Sequence, residues 1–297
     1  LARRMKIIVT IPAYNEEGTI GAIISKINEA MKTSKYDYKI LVVDDGSKDN
    51  TKETAKKAGA LVYSHPKNYG LAETFITEVE NALKLGADVI VHIDADTQYN
   101  PEEIPKLVRE IESGYDLVLG SRFKGTIESM PFVKRIGNIA FSKVISSITG
   151  TKISDAQTGF RAFTKEIAEN IRITSRHTYT QEQIIKAVRQ KYKLKEVPIH
   201  FAKRKDKSRL IGNPLGYAAR AWINIIRVYR DYEPLKFFGI IGILVFGLGI
   251  LLGLYLAYLH FTSGIVGHFG LMMFDILVLS IGLQIVIFGF IADMLKK

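Results

Sequence analysis

Two aspartates spaced one residue apart, Asp94 and Asp96, directly follow an apolar run that is rich in β-branched residues. Such a run is typical of a buried strand, and the carboxyl end of a parallel strand borders the crevice where open α/β sheets bind ligands. Carboxylate and amide oxygens are suitable ligands for Mg²⁺ or Mn²⁺, and these ions usually also bind waters and substrate phosphates. Together with Gln98, the pair predicts a divalent-cation site, although an ordinary polar turn would use the same residue types.

Strand-like and helix-like segments alternate four times in the first part of the chain. The alternation predicts parallel βαβ units. Because the loops after parallel strands share one edge of the sheet, Asp44, Asp94 and Asp96 are expected to meet at a single cleft. The predicted strands are Met5–Ile11, Lys39–Val43, Ala60–Tyr63, 89–93 and Leu117–Leu119, and the predicted helices are Thr19–Met31, 50–58, Leu71–Leu85 and one that opens at Pro101.

Two later segments, Pro131–Ile148 and Pro214–Tyr232, combine apolar and aromatic residues with Lys and Arg at helical spacing. This composition is typical of helices that lie in a membrane interface, although a helix packed on the sheet can show the same pattern. Between Arg189 and Lys236 there are 13 Lys or Arg residues and 4 Asp or Glu residues, a local charge of +9. A patch of this kind attracts phosphates, lipid headgroups or nucleic acid.

The last part of the chain contains two long apolar segments, Phe237–Leu259 and Leu271–Met294. At ~1.5 Å per helical residue, each is long enough to cross a ~30 Å hydrocarbon core. Lys and Arg flank their outer ends, and the connection between them contains neither. The positive-inside rule therefore predicts a transmembrane hairpin with the preceding domain and both termini in the cytoplasm. Beside such a hairpin the basic, aromatic stretch favours anionic lipid over nucleic acid as its partner. The chain contains no Cys, which excludes disulfides and thiolate chemistry.

Five short motifs occur in one order along the chain: Ile11–Glu16, Val43–Ser47, Asp94–Asp96, Gly120–Phe123 and Gln157–Arg161. In this order they resemble the family 2 inverting glycosyltransferases with the GT-A fold, and within them the polyprenyl-phosphate glycosyltransferases that include dolichol-phosphate mannose synthases. The resemblance covers roughly Met5 to Leu210. It implies an α/β fold class: a mostly parallel, Rossmann-like GT-A sheet domain, two basic amphipathic interface helices and a C-terminal transmembrane hairpin. The expected divisions are a catalytic domain over 1–213 that includes the interface helix 131–148, a second interface helix over 214–235 and the hairpin over 236–297.

The resemblance also implies roles for individual residues. A divalent cation, Mg²⁺ or Mn²⁺, would be held on the donor diphosphate by Asp94, Asp96 and Gln98, and Asp96 and Arg122 would be catalytic. Gln157 and Glu182 would orient the sugar, although Glu182 would also suit a helix N-terminus. The acceptor phosphate would be bound by Arg122, Arg135, Ser208 and Arg209, although isolated surface cations often contribute little. The nucleotide sugar would be bound by Pro12, Tyr14, Glu16, Asp44, Asp45, Asn68, Gly70, Asp94, Ala95, Asp96 and Gln98.

The expected function is inverting transfer of a hexose, preferably mannose from GDP-mannose, to a dolichyl or other polyprenyl phosphate. The phosphate is already an anion, so it can attack the sugar without a protein base. UDP-glucose is an alternative donor, because no residue distinguishes guanine from uracil. A processive polysaccharide synthase is disfavoured because no Gln-x-x-Arg precedes Trp222. A non-catalytic nucleotide sensor is disfavoured by the intact Asp94 and Asp96. His92 alternates within a strand and is expected to be a buried, hydrogen-bonded side chain and not a metal ligand.

Overall fold

The computed structural model describes residues 4–174, 179–203, 214–264 and 269–295. The chain divides into two compact units, Leu1–Ala218 and Ala219–Lys297. The first contains the mixed α/β part of the chain, and the second contains its long apolar helices.

The described part of the first unit contains one sheet in the order β3-β2-β1-β4-β6-β5-β7. β1, β2, β3 and β4 are parallel to one another, whereas β6 runs antiparallel to β4 and β5, and β7 runs parallel to β5. The prediction of a mostly parallel sheet is therefore confirmed. The strands are β1 Lys6–Ala13, β2 Asp37–Asp44, β3 Leu61–Ser64, β4 Val89–His92, β5 Leu117–Ile127, β6 Arg161–Thr164 and β7 Leu194–Phe201.

Helices cover both faces of this sheet. The first of them buries Ile20, Ile23, Ile24, Ile27 and Met31, a helical spacing that turns one stripe toward the sheet. Each fully buried Ile contributes about 1.5–3 kcal/mol relative to an exposed one. The helices of this unit are α1 Glu17–Lys32, α2 Thr51–Lys57, α3 Leu71–Lys84, α4 Ile104–Glu112, α5 Phe132–Thr149, α6 Lys165–Asn170 and α7 Thr180–Arg189, and a 3₁₀ turn at Pro101–Glu103 precedes α4.

The helix α5 buries only part of its apolar surface. Phe141, Ile145 and Ile148 are buried, whereas Phe132 and Ile136 are 75% and 51% exposed. A single helix therefore packs on the domain at its C-terminal end and presents apolar side chains at its N-terminal end. This is the distribution expected of a helix that also touches lipid, and the interface role of α5 stays a prediction.

The second unit contains most of α8, Pro214–Tyr232, together with α9, Pro234–Ser263, and α10, Phe269–Met294. The prediction of two long apolar helices is confirmed, since both are long and apolar enough to cross a membrane and their side chains are mostly exposed. Glycines bring α9 and α10 close together: Gly242 lies against Val286, and Gly282 lies against Phe246. Small residues at such a contact allow two helix backbones to approach.

Candidate active site

A cleft of about 240 Å³ lies at the carboxyl ends of β1, β2 and β4. The parallel strands predicted that Asp44, Asp94 and Asp96 meet there; Asp94 and Asp96 line the cleft, and from the end of β2 it is Asp45 that joins them. Of the residues predicted to bind the nucleotide sugar, Asp44 and Gln98 are not among the lining residues, and Ala13, Leu71 and Thr74 line the cleft without having been predicted. The complete lining is Pro12, Ala13, Tyr14, Glu16, Asp45, Asn68, Gly70, Leu71, Thr74, Asp94, Ala95 and Asp96.

The wall that contains Asn68 and Gly70 is held by the loop after β2. Asp45 accepts hydrogen bonds from the backbone N–H groups of Tyr69 at 2.9 Å and Gly70 at 2.8 Å. The same carboxylate lies 2.7 Å from His65 Nδ1. Gly46 has φ +72°, and a Cβ there would lie 2.5 Å from the Lys67 carbonyl carbon, so only glycine allows the two loops to approach. Asp45 therefore shapes the cleft in addition to lining it. Asp44 is buried and accepts a hydrogen bond from the Ser47 N–H at 3.1 Å.

The loop after β1 is fastened to the loop after β2. Asn15, with φ +53°, accepts a hydrogen bond from the Lys48 N–H at 2.8 Å and donates its own N–H to Ser47 Oγ at 2.9 Å. The Glu16 N–H donates to Thr51 Oγ1 at 2.8 Å. These bonds leave the Tyr14 ring 36% exposed at the cleft, where a flat aromatic surface suits stacking on a base.

Asp94 and Asp96 follow β4 and differ in their surroundings. The Asp94 side chain is 34% exposed, and its Oδ1 lies 3.6 Å from His92 Nε2. Gly159 faces this carboxylate so closely that a Cβ there would lie 2.5 Å from Asp94 Oδ2. Asp96 accepts a hydrogen bond from the Gln98 N–H at 3.1 Å. Thr97, between them, has φ +60°, a conformation that costs a β-branched residue about 1–3 kcal/mol and often marks a functional turn.

These two carboxylates fit a hard divalent cation. Mg²⁺ is commonly held by one or two carboxylates together with substrate phosphates, and both side chains line the same cleft. Within the described residues there is no group of three or more His, Cys, Asp or Glu side chains that would hold a metal by themselves. The predicted third ligand, Gln98, is buried and donates its side-chain N–H to the Ala202 carbonyl at 3.2 Å. Its role as a ligand stays a prediction.

His92 is fully buried and hydrogen-bonded, as predicted. Its Nδ1 lies 2.6 Å from Glu78 Oε2, and its Nε2 lies 2.7 Å from Tyr179 Oη. Burial disfavours the charged ring, but the carboxylates of Glu78 and Asp94 outweigh this effect and raise the pKa of His92 to about 9. The ring lies directly behind Asp94, with Nε2 3.6 Å from Oδ1.

Arg122 is paired within the protein. Its Nε and Nη2 each donate to Asp155 at 2.7 Å, and Arg122 is only 4% exposed. Two opposite charges buried together satisfy each other, so this edge of the guanidinium is used by Asp155. Contact of Arg122 with the acceptor phosphate stays a prediction. Arg122 still lies close enough to Asp94 to interact with it electrostatically.

The other predicted residues of the second half are less closely linked to the cleft. Glu182 is 3% exposed, accepts hydrogen bonds from the N–H and hydroxyl of Thr174 and pairs with Lys186 at 2.7 Å. Glu182 is thus held within the protein, and its role in orienting the sugar stays a prediction. Gln157 is half-buried, and Arg135 is exposed on α5. Ser208 and Arg209 lie outside the described residues.

Sequence reasoning missed the structural importance of Gly159. This residue lies in the Gln157–Arg161 motif, and its N–H donates to the Tyr99 hydroxyl at 3.0 Å. The motif identified the segment, but a glycine in a sequence does not reveal which side chain approaches it. The contact with Asp94 emerges only once β6 is placed beside β4.

Comparison with known proteins gives a consistent result. Residues 8–172 match the family described as glycosyl transferase family 2. A dolichyl-phosphate hexose transferase from Haloferax volcanii is 34% identical over 74% of this chain and 92% of its own length. A dolichol-phosphate mannosyltransferase from Pyrococcus furiosus is 31% identical over 80% of this chain and 69% of its own. Glucosyl-3-phosphoglycerate synthase from Mycobacterium tuberculosis, solved with Mn²⁺, UDP and phosphoglyceric acid, has a TM-score of 0.59, 21% identity and coverage of 76% of this chain and 78% of its own. This last similarity concerns the fold.

Proposed function

The chain belongs to glycosyl transferase family 2 and is a glycosyltransferase of the GT-A fold, and from this membership we propose that it transfers a hexose from a nucleotide sugar to a membrane polyprenyl phosphate. The observation that carries the proposal is the cleft in which Asp94 and Asp96 meet Tyr14 and Asp45. A cleft with carboxylates at one side and an aromatic ring at another suits a ligand that has a diphosphate and a base. The relatives that act on dolichyl phosphate support the acceptor class.

Mannose from GDP-mannose is the preferred donor. The dolichol-phosphate mannosyltransferase relative supports this preference. A UDP-sugar is the second candidate, and the fold neighbour solved with UDP and Mn²⁺ supports it. In both cases Tyr14 would stack on the base, while Asp45, Asn68 and Gly70 would border the base and ribose.

Asp94 and Asp96 would hold a divalent cation, Mg²⁺ or Mn²⁺, at the donor diphosphate. Such a cation, when bound, offsets the negative charge that builds on the departing nucleoside diphosphate. The protein side chains orient the diphosphate and keep its charge at one end of the cleft. Gln98 would assist from the buried position next to them.

The acceptor phosphate would attack the anomeric carbon directly. One phosphate oxygen forms the new bond to C1, the bond from C1 to the donor phosphate oxygen breaks, and the configuration at C1 inverts. No proton is removed, because a phosphate is an anion at neutral pH. Asp155 is buried against Arg122, so its carboxylate is not presented as a base. Arg122 would contribute positive potential, and Arg135, Ser208 and Arg209 would contact the acceptor phosphate.

The acceptor lipid would remain in a bilayer. Two helices of sufficient length and hydropathy support a membrane-bound chain, and the exposed apolar end of α5 supports contact of the first unit with lipid. By the distribution of Lys and Arg, the catalytic domain and both termini would be cytoplasmic.

The test is sugar transfer by the purified full chain in detergent to a polyprenyl phosphate. GDP-mannose and UDP-glucose are compared side by side with Mn²⁺ or Mg²⁺, and each reaction is repeated with EDTA. Mannosyl transfer that EDTA abolishes is expected. Glucosyl transfer alone would replace the donor and keep the acceptor, whereas a polymeric product or no lipid product would overturn the proposal.

Asp96→Ala is the variant that probes the cation site. Turnover should fall by about 100-fold or more, because several kcal/mol of charge stabilisation is lost, while the unfolding temperature stays near that of the wild type. Asp37→Ala, an exposed carboxylate at the opposite end of β2, is the matched control and should retain activity. Full activity of Asp96→Ala would refute the cation assignment.

A further inference from the structure

A buried chain of hydrogen bonds lies directly behind Asp94. It consists of Thr10 on β1, Glu78 on α3, His92 on β4 and Tyr179 just before α7, and we call these four residues the His92 network. All four are fully buried. Buried polar groups are costly unless they are paired, and an apolar quartet would fill the same space between the sheet and α3. Packing alone therefore does not explain why polar residues occupy these four positions.

The network holds the imidazole of His92 at both nitrogens. Nδ1 lies 2.6 Å from Glu78 Oε2, and the same oxygen accepts a hydrogen bond from Thr10 Oγ1 at 2.9 Å. Nε2 lies 2.7 Å from Tyr179 Oη. The Tyr179 ring stacks on Phe75 with centroids 3.8 Å apart and an angle of 5°. Because Glu78 from α3 and Tyr179 from the segment before α7 bind its two nitrogens, and Thr10 from β1 holds Glu78, the imidazole has one orientation.

That orientation brings Nε2 to 3.6 Å from Asp94 Oδ1. On another side, Gly159 lies so close to Oδ2 that a Cβ would not fit. The Asp94 carboxylate is thus confined between a fixed ring and a backbone surface, and one third of the side chain remains open to the cleft. Asp96 accepts a hydrogen bond from the N–H of Gln98, in its own turn, at 3.1 Å.

We propose that His92 is a positioning residue for the proposed transfer reaction: the His92 network fixes the imidazole, and the imidazole holds the Asp94 carboxylate in the orientation that receives a divalent cation together with the donor diphosphate. This inference rests on the proposed function. Residues that orient a metal ligand typically change metal affinity or activity by about 10–100-fold when they are replaced.

His92→Asn separates positioning from packing. An asparagine amide reaches Glu78 in place of Nδ1, so the buried carboxylate keeps a partner, but it does not extend to the position of Nε2. The measurement is calorimetric binding of GDP, and separately of UDP, to the full chain in detergent with Mn²⁺ and with EDTA. The ratio of the two affinities reports how much the cation strengthens nucleotide binding. His92→Asn should lower this ratio by about tenfold or more and leave the affinity in EDTA unchanged.

His65→Asn is the matched control. His65 is also buried, with Nδ1 2.7 Å from the Asp45 carboxylate and Nε2 2.9 Å from the Thr77 hydroxyl. The same substitution therefore removes an equivalent hydroxyl contact but leaves Asp94 untouched. It should leave the Mn²⁺ ratio unchanged, whatever it does to the affinity in EDTA. Tyr179→Phe provides a second probe if His92→Asn does not fold: it frees one edge of the imidazole and should lower the ratio by a smaller factor.

Three results would overturn the inference. The first is an unchanged Mn²⁺ ratio in both His92→Asn and Tyr179→Phe. The second is an equal loss of affinity with Mn²⁺ and with EDTA, which would indicate a purely structural role. The third is a wild-type protein whose binding of both nucleotides is unaffected by Mn²⁺. The assay contains neither sugar nor lipid, so failure of the proposed acceptor chemistry would appear in the transfer assay and leave this ratio intact.

Discussion

Two sets of charged residues in the first unit differ in how they are presented. Asp94 and Asp96, which precede β5, open onto a cleft, and the Asp94 side chain is one third exposed. Arg122, Asp155 and Glu182, in the half that begins with β5, are almost completely buried and paired with protein groups. The first set is open to a ligand, whereas the second holds the fold, as the buried carboxylates Asp45 and Glu78 of the first half also do. The type of a charged residue and its position after a strand therefore do not by themselves show that it is open to a ligand.

Asp155→Ala should produce the largest effect on stability. Removing one partner of a buried ion pair leaves the Arg122 charge uncompensated and costs about 3–5 kcal/mol. At ~2–4 °C per kcal/mol for a unit of this size, the unfolding temperature should fall by roughly 6–20 °C. Thermal unfolding of the purified chain measures this shift.

The surface pair Lys165–Glu169 supplies the control for this comparison. Its partners lie 3.4 Å apart and are about half exposed, so Glu169→Ala should cost at most about 1 kcal/mol. The contrast between the two sets would break down if Asp155→Ala kept wild-type stability and lost only turnover. Asp155 would then be a group that acts on substrate.

Gly159→Ala should affect activity far more than stability. The backbone of Gly159 is outside the left-handed region, so alanine is tolerated there, but its Cβ would lie 2.5 Å from Asp94 Oδ2 and displace the carboxylate. A displacement of about 1 Å in an active-site group can lower turnover by about 100-fold. Transfer kinetics and thermal unfolding would be compared with those of Gly18→Ala, where a Cβ meets nothing within 4 Å. Equal activity of the two variants would show that the cleft tolerates a displaced Asp94.

The part of the fold that sequence reasoning anticipated is the part made from local patterns. β1 to β4 and their helices follow from apolar periodicity, and the meeting of carboxylates from the ends of β2 and β4 follows from the parallel arrangement. The residue expected from β2 was Asp44, whereas Asp45 lines the cleft. β6 was missed because it is a four-residue strand that starts with the buried Arg161. β7 was missed because Pro198 interrupts its run; the strand tolerates this proline because it lies at the edge of the sheet.

The part of the site that sequence reasoning did not anticipate depends on partners distant in the chain. Arg122 is paired with Asp155. Glu182 is bound by the Thr174 hydroxyl and the Lys186 ammonium group. An arginine that follows a strand has the same sequence pattern whether its guanidinium binds a ligand or a buried carboxylate. The same limit applies to His92, whose burial was predicted but whose approach to Asp94 depends on Glu78 and Tyr179.

Glu182→Gln sharpens the comparison with a smaller effect. If Glu182 holds the fold, loss of its charge should weaken the contacts with Thr174 and Lys186 and cost about 1–3 kcal/mol. The unfolding temperature should then fall by several degrees, while KM for the donor stays within about twofold, since uniform binding is unaffected. Glu80→Gln, an exposed carboxylate of α3, is the control and should change neither quantity. A wild-type unfolding temperature combined with a large loss of kcat/KM would instead indicate that Glu182 contacts the sugar. The half that begins with β5 would then also contain a carboxylate that binds a ligand.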